Sequence, residues 1–417
     1  MPLKILLSEG MSLSAREAIT VLGRSGHRVD ICAPQRWCFG SYSKWVDRVH
    51  VMPMAGSDPA GYVRSVAEVC AREKVDVLLP VHEQAYLFAA LRRREPSWPN
   101  ARTAVPVASF AAFQAVQTKD ALTATLAAAG LPQPVTMVVR STDELLREGE
   151  ALLRAKGACM VKATAGTAST GLHTVTSRRQ LEELAAAPDL ASRFPLIVQE
   201  RVIGPLERLQ AIYDDGLLVA IHCFRQVIAG PGGGDVLKES VARPVVVAHL
   251  QALGARLHWH GALDFDFILR DGDPARPLYV DANPRLVEPV SAYLSGVDLG
   301  AALLRVAQGE AAEPLAIGRA GVRTRLGLPG LMERASATGR RGAVLDDFFA
   351  QLFRSGRYAG SEEELTPADD GLMSRIPYWG LLLHLLAQPA TAGAISRNIV
   401  AAYALGPRGH AFVDGLP

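Results

Sequence analysis

At 417 residues the chain is too long for one compact core, so two or three domains are expected. About half of it is apolar (49%) and a fifth charged (21%), as in an ordinary globular protein, and a formal net charge of +2 leaves no basic field for a nucleic-acid partner. The five cysteines (Cys32, Cys38, Cys70, Cys159 and Cys223) are scattered and never spaced as C-x-x-C, which argues against a disulfide framework or a structural zinc site.

In chain order, residues 3–7 form a short apolar run ending in a polar turn. Only Ile5, Leu6 and Leu7 follow Lys4 before Ser8 and Glu9 intervene, far short of a signal-peptide core. Residues 14–22 have helical apolar spacing, residues 26–31 read as a second buried strand, and the amphipathic stretch 58–73 precedes a strand at 75–80. Strands alternating with helices predict a parallel α/β domain over residues 1–105. No G-x-G-x-x-G follows the first strand, so Rossmann-like topology is expected without NAD. His82-Glu83 follows the strand at the edge where such layers place sites, although a helix start with no such role is the plainer reading.

Pro96, Pro99, Asn100 and Pro106 mark a boundary. A helix at 108–130 follows, then Pro132, Pro134 and a strand-like run at 135–139. Further strand-like runs at 159–162, 196–200, 217–222, 262–269 and 278–281 give an α+β pattern over residues 106–310, with a smaller subdomain at about 134–203. Residues 311–417 are expected to be mostly helical. Their most apolar stretch, 378–387, is interrupted by His384 and followed by Gln388 and Pro389, so it reads as a core helix rather than a membrane span. No membrane partner and a cytoplasmic location follow as expectations.

Three separated segments carry chemistry together. Met160-Val161-Lys162 is a strand ending in lysine that runs into small residues (163–171), a loop able to lay backbone N–H groups on phosphate oxygens. Residues 197–207 hold an apolar strand ending at Glu200, with a second carboxylate, Glu207, seven residues on. In Leu263-Asp264-Phe265-Asp266-Phe267 and Tyr279-Val280-Asp281-Ala282-Asn283, strand alternation puts Asp264 with Asp266 on one face and Asp281 with Asn283 on one face. Adjacent strands would gather Asp264, Asp281 and Asn283 as the hard oxygen ligands that Mg²⁺ on nucleotide phosphates requires.

The order and spacing of these segments, from about residue 108 to 300, resemble the ATP-grasp superfamily, in its carbamoyl-phosphate-synthase-like and carboxylate–amine ligase branches. Residues 1–105 more weakly resemble the pre-ATP-grasp domain that usually precedes it. The resemblance implies an ATP-grasp fold with a Rossmann-like N-terminal domain and a helical C-terminal extension, using ATP and Mg²⁺ (or Mn²⁺). It implies that Lys119 and Lys162 meet ATP phosphates, that the loop with Gly166, Ser169 and Gly171 covers them, that Glu200 and Val202 meet the adenine and that Glu207 meets the ribose. It implies Asp264, Asp281 and Asn283 as metal ligands and Arg285 beside the transferred phosphoryl group. Only seven of the 44 basic residues are lysines, and two of those seven, Lys119 and Lys162, fall where the resemblance wants lysine. Two departures stand out: aspartate at 281 where the family usually has glutamate, and alanine and threonine in place of lid glycines.

Arg243 is a candidate clamp for a substrate carboxylate. Glu288 is a candidate holder of an incoming amine, and the Gly230–Asp235 segment, flanked by Arg225 and Lys238, is either a loop near the acceptor or plain surface. The implied activity joins a small-molecule carboxylate to an amine, such as amino acids, through an acyl phosphate, releasing ADP and phosphate. A carboxylase or phosphotransferase of the same fold, and a catalytically decayed nucleotide-binding regulator, are the alternatives. Two roles are open to the helical tail: completing the pocket or forming a homodimer contact.

Overall fold

The computed structural model describes residues 2–164, 172–311 and 313–416. Four parallel strands, β1 (Lys4–Leu7), β2 (Arg28–Ala33), β3 (Val46–Val51) and β4 (Val77–Leu79), form a sheet in the order β3-β2-β1-β4. The sheet is covered on both faces, which is why Ile5, Leu6 and Leu7 of β1 are all apolar. Ile5 and Leu7 pack with Ala15, Ala18 and Ile19 of α1 (Leu13–Arg24). Leu6 packs with Tyr62 and Val66 of α2 (Pro59–Glu73) and Phe88 of α3 (Gln84–Arg94). The Ser12 hydroxyl caps α1 by accepting from the Ala15 N–H at 3.0 Å.

The helix expected at 108–130 breaks at Thr118, whose extended backbone separates α4 (Phe110–Gln117) from α5 (Lys119–Ala128) and sets Lys119 at a helix start. A second, antiparallel sheet follows in the order β5-β8-β6-β7, from β5 (Thr136–Val139), β6 (Cys159–Ala163), β7 (Leu172–Val175) and β8 (Leu196–Glu200). One face packs Val161, Leu196 and Val198 against Leu145 and Leu152 of α6 (Thr142–Lys156) and Leu181 of α7 (Arg178–Ala185). The other face is left for the site.

The third sheet has eight strands: β9 (Leu206–Asp214), β10 (Leu217–Ala229), β11 (Asp235–Ser240), β12 (Gly261–Leu269), β13 (Pro277–Asn283), β14 (Ala316–Ile317), β15 (Arg323–Arg325) and β16 (Ser361–Glu363). Its path runs β13-β12-β9-β10-β11-β15-β16, with β14 beside β10. Leu209, Phe265 and Phe267 pack against Val246 and Leu250 of α8 (Pro244–Leu257) on one face. After α9 (Val290–Leu294), α10 (Leu299–Gln308) packs its Leu303 with Ile212 and Ala220 of the opposite face.

The C-terminal region is helical as expected, with α11 (Gly327–Thr338), α12 (Arg341–Leu352), α13 (Ile376–Ala387), α14 (Ala392–Tyr403) and α15 (Gly406–Asp414), yet β14, β15 and β16 also extend the large sheet. It also returns to the first domain. Asp370 pairs with the buried Arg16 of α1 and accepts from the Ser43 hydroxyl and the Lys44 N–H, both at 2.9 Å. Among the described residues no helix is long and apolar enough to cross a membrane.

Candidate active site

A cleft opens between the second and third sheets. Lys119 spans it: its backbone N–H donates to the Thr164 carbonyl at the end of β6 (2.9 Å), while its Nζ donates to both Asp281 oxygens at 2.9 Å. Lys162, next to last in β6, lies on the open face of the second sheet and donates to Gln199 Oε1 at 2.7 Å. Leu122, Ile197 and Tyr279 give the cleft apolar walls, and Lys119, Lys162, Gln199 and Gln133 give it polar ones. Burial holds the Lys162 ammonium down at about 8; Asp281 opposes that shift and Lys119 reinforces it.

Strand parity decides which side chains reach this cleft. Lys162 pairs with Ile197 and Met160 with Gln199 across β6 and β8, so these four share the open face. Glu200 pairs with Cys159 and points the other way. Its carboxylate is held by Arg270 through two bonds (3.0 and 2.9 Å), with Lys156 at 3.4 Å and the Val135 N–H donating at 3.3 Å. The Glu200 carboxylate, expected to face adenine, does not line this cleft; Gln199, one residue earlier, does, which sequence spacing missed and period-two alternation from Lys162 could have found. Backbone at 200–202, including Val202, forms the hinge into β9. Gly204 fixes that hinge, since a Cβ there would stand 1.9 Å from the Leu269 carbonyl.

The acidic strands meet as anticipated. Asp264 pairs with Asn283 and Asp266 with Asp281 across β12 and β13. Asn283 Nδ2 donates to Asp264 Oδ1 at 3.2 Å, and Asp264 Oδ2 is buried with no partner among the described residues. Burial pushes the Asp264 carboxyl well above the usual range, the neighbouring Asp266 charge adds to this, and Arg208 and Arg285 oppose it. A buried carboxylate oxygen without a donor, beside an amide and a second carboxylate, is a donor set that suits a hard divalent cation. Asp266 accepts instead from Arg208 Nε at 3.0 Å, and Arg208 also pairs with Asp235 and donates to the Gly233 carbonyl, which ties the glycine-rich segment to the acidic strands.

Glu207 does not join them. It pairs with Phe267, while Arg208 and Gln210 pair with Asp266 and Asp264, so Glu207 lies on the opposite face of the large sheet. Both its oxygens accept from Arg243, at 2.6 Å from Nε and 2.5 Å from Nη2. Expected as a ribose ligand and a substrate clamp, Glu207 and Arg243 instead bind each other, because one step along β9 reverses the side-chain direction. Gly166, Ser169 and Gly171 lie outside the described residues.

Beyond the acids, Arg285 Nη1 donates to Ser14 Oγ at 3.3 Å, next to Glu9 and His82 of the first domain. The buried Lys238 donates to Glu288 and Glu364, each at 2.7 Å, and Glu17 lies close by. Burial alone would lower the Lys238 ammonium, but Glu288, Glu364 and Glu17 outweigh it and hold it well above the usual lysine range. Glu17 and Glu364, 347 positions apart in the chain, carried no local signal of this meeting. His82 packs against Tyr403 in a tilted ring contact (centroids 4.3 Å apart), and Glu83 accepts from the Leu405 N–H at 2.7 Å, so the C-terminal segment covers that edge of the first sheet.

No protein-family model and no curated protein sequence matches the chain. Solved structures do. The biotin carboxylase domain of 2-oxoglutarate carboxylase from Hydrogenobacter thermophilus, in complex with MgADP, ADP and bicarbonate, aligns with TM-score 0.60 at 15% identity, covering 77% of this chain and 73% of that one. Biotin carboxylase from Campylobacter jejuni gives 0.57 at 16%, covering 74% and 72%. L-amino acid ligase from Bacillus licheniformis gives 0.55 at 16%, covering 74% of each chain. The two-lobed arrangement, the lysines at the cleft and the likeness to these structures lead to one conclusion: the chain has the ATP-grasp fold.

Proposed function

We propose that this chain is an ATP-dependent carboxylate–amine ligase that activates a carboxylate as an acyl phosphate and passes it to an amine, releasing ADP and phosphate. The observation that carries the reading is the continuity of one cleft: Lys119 lines the pocket with Lys162 and Gln199 and at the same time grips Asp281 of the acidic strands. In this reading Leu122, Ile197 and Tyr279 receive the adenine beside the 200–202 backbone, and Lys119 and Lys162 receive the phosphates. Asp264, Asp281 and Asn283 hold Mg²⁺ or Mn²⁺, which when bound neutralises charge on the phosphates. Lys119 and Asp281 must part for each to take its ligand, so their pair holds both groups in place until then. Arg285 faces the acyl phosphate and Glu288 the amine. Catalysis then rests on positioning and electrostatic stabilisation. The likeness to an L-amino acid ligase supports amide formation, and that to biotin carboxylases supports a carboxylase as the other outcome.

The test is ADP and phosphate release from Mg-ATP with pooled carboxylates and amines, with Lys162→Ala beside the wild type. Release that needs both a carboxylate and an amine, and is lost in the variant, supports the ligase. Release driven by bicarbonate and biotin makes the chain a carboxylase. No nucleotide binding at all refutes the reading.

A further inference from the structure

The C-terminal helices carry an apolar face that the fold leaves open. On α12 and just beyond it, Phe349, Leu352 and Phe353 are 48%, 57% and 71% exposed; on and before α13, Leu372, Trp379 and Leu383 are 81%, 45% and 67% exposed. The two groups are continuous. Phe349 stacks on Phe353 with ring centroids 6.2 Å apart, and Phe348 bridges Phe349 (5.2 Å) to Trp379 (5.3 Å).

Scaled by the roughly 150–250 Å² that a large side chain presents, these fractions leave on the order of 700 Å² of apolar surface open. That exceeds the about 300–600 Å² of the largest patch on a typical monomer and approaches the about 800 Å² that each partner contributes to a standard interface. The platform is firm. Beneath it Tyr378 donates to Gln351 Oε1 at 3.0 Å, Gln351 donates to Asp347 at 2.8 Å, and Tyr358 donates to Asp347 at 3.0 Å.

We infer that this face is where a second copy of the chain docks, across a twofold axis that brings α12 and α13 of one protomer onto the same helices of its partner. Two features select a second copy. Residues of α13 include no Asp, Glu, Lys or Arg, so the surface packed on that helix must be equally free of charge, and α13 of a second copy meets that condition. Its area doubled by symmetry falls in the range of a stable dimer.

The experiment is sedimentation velocity on the full chain at micromolar concentration, with Phe353→Asp/Leu383→Asp beside the wild type and flotation with anionic vesicles in parallel. Both side chains are mostly in solvent, so the double variant keeps its fold, which its melting temperature and ADP release verify independently. The expected result is a wild type at twice 44.6 kDa and a double variant at 44.6 kDa with unchanged melting. A monomeric wild type, or a dimer that survives both aspartates, overturns the inference. Vesicle binding by a monomeric wild type that the double variant loses overturns it in favour of a membrane surface.

Discussion

Replacing Arg243 by alanine separates the two readings of the Glu207 side of the sheet. The Glu207 side chain is 1% exposed and, among the described residues, both its oxygens take their hydrogen bonds from Arg243 alone. Removing one partner of a buried ion pair leaves an uncompensated charge and costs about 3–5 kcal/mol; the Arg243 side chain is itself 15% exposed, which favours the lower end. For a unit the size of the ATP-grasp lobes, each kcal/mol moves the midpoint by about 2–4 °C, so about 3 kcal/mol lowers the melting temperature by about 6–12 °C. Adding Glu207→Gln to Arg243→Ala removes the stranded charge and should recover a good part of that loss. Calorimetry with the two singles and the double measures the coupling. The KM for ATP of the folded variants should stay within a factor of two. A KM raised tenfold at an unchanged melting temperature would refute the reasoning and return Glu207 to the nucleotide.

Gln199→Leu should weaken ATP binding by about tenfold, or 1.4 kcal/mol, by stranding Lys162, whereas Glu200→Gln should chiefly lower the melting temperature; equilibrium nucleotide titration beside calorimetry tells them apart. The Lys162 ammonium titrates at about 8 in the folded chain, so ATP affinity should fall as pH rises through 8, and Lys162→Arg should flatten that profile. The same group binds fewer protons folded than unfolded between about 8 and its ordinary value of 10.5, so its contribution to stability improves with rising pH across that window; a Lys162→Met variant should lack this rise in denaturant titrations. Gly204→Ala drives a Cβ against the Leu269 carbonyl, and displacement of the hinge should cut turnover several-fold while the first domain stays folded, checked by ADP release and circular dichroism.

The positions of Lys162, Asp264, Asp281 and Asn283 were legible because each lies near the end of a strand or alternates along one whose apolar neighbours announce it, whereas Lys119 came from the resemblance alone and the break at Thr118 that sets it at a helix start was not foreseen. Asp264 and Asp266 stand between Leu263, Phe265 and Phe267, which leaves one choice of buried face. Glu200 and Glu207 were misplaced because they were counted by spacing from a motif. A strand turns its side chains over at every residue, and an error of one is an error of face. Lys238, Glu17 and Glu364 escaped for another reason: nothing local marks a lysine in β11 as the hub of carboxylates from α1 and from beyond β16. β15 and β16 were invisible because three-residue strands carry too little alternation to separate from helix ends.

The pairing of Arg16 with Asp370 imposes an order on synthesis. The two stand 354 positions apart, and the arginine is wholly buried within the first helix of the first domain. At about 5–20 residues per second, a ribosome needs on the order of 20–70 s to deliver the carboxylate after that helix has emerged. Through that interval the first domain cannot close fully over α1 without sealing in a guanidinium that holds the Thr20 hydroxyl but lacks its Asp370 carboxylate. Helix α1, made well before residue 370, should be among the last segments to become resistant to protease, and arrested chains ending before residue 370 should be cut within α1 where chains that include Asp370 are not.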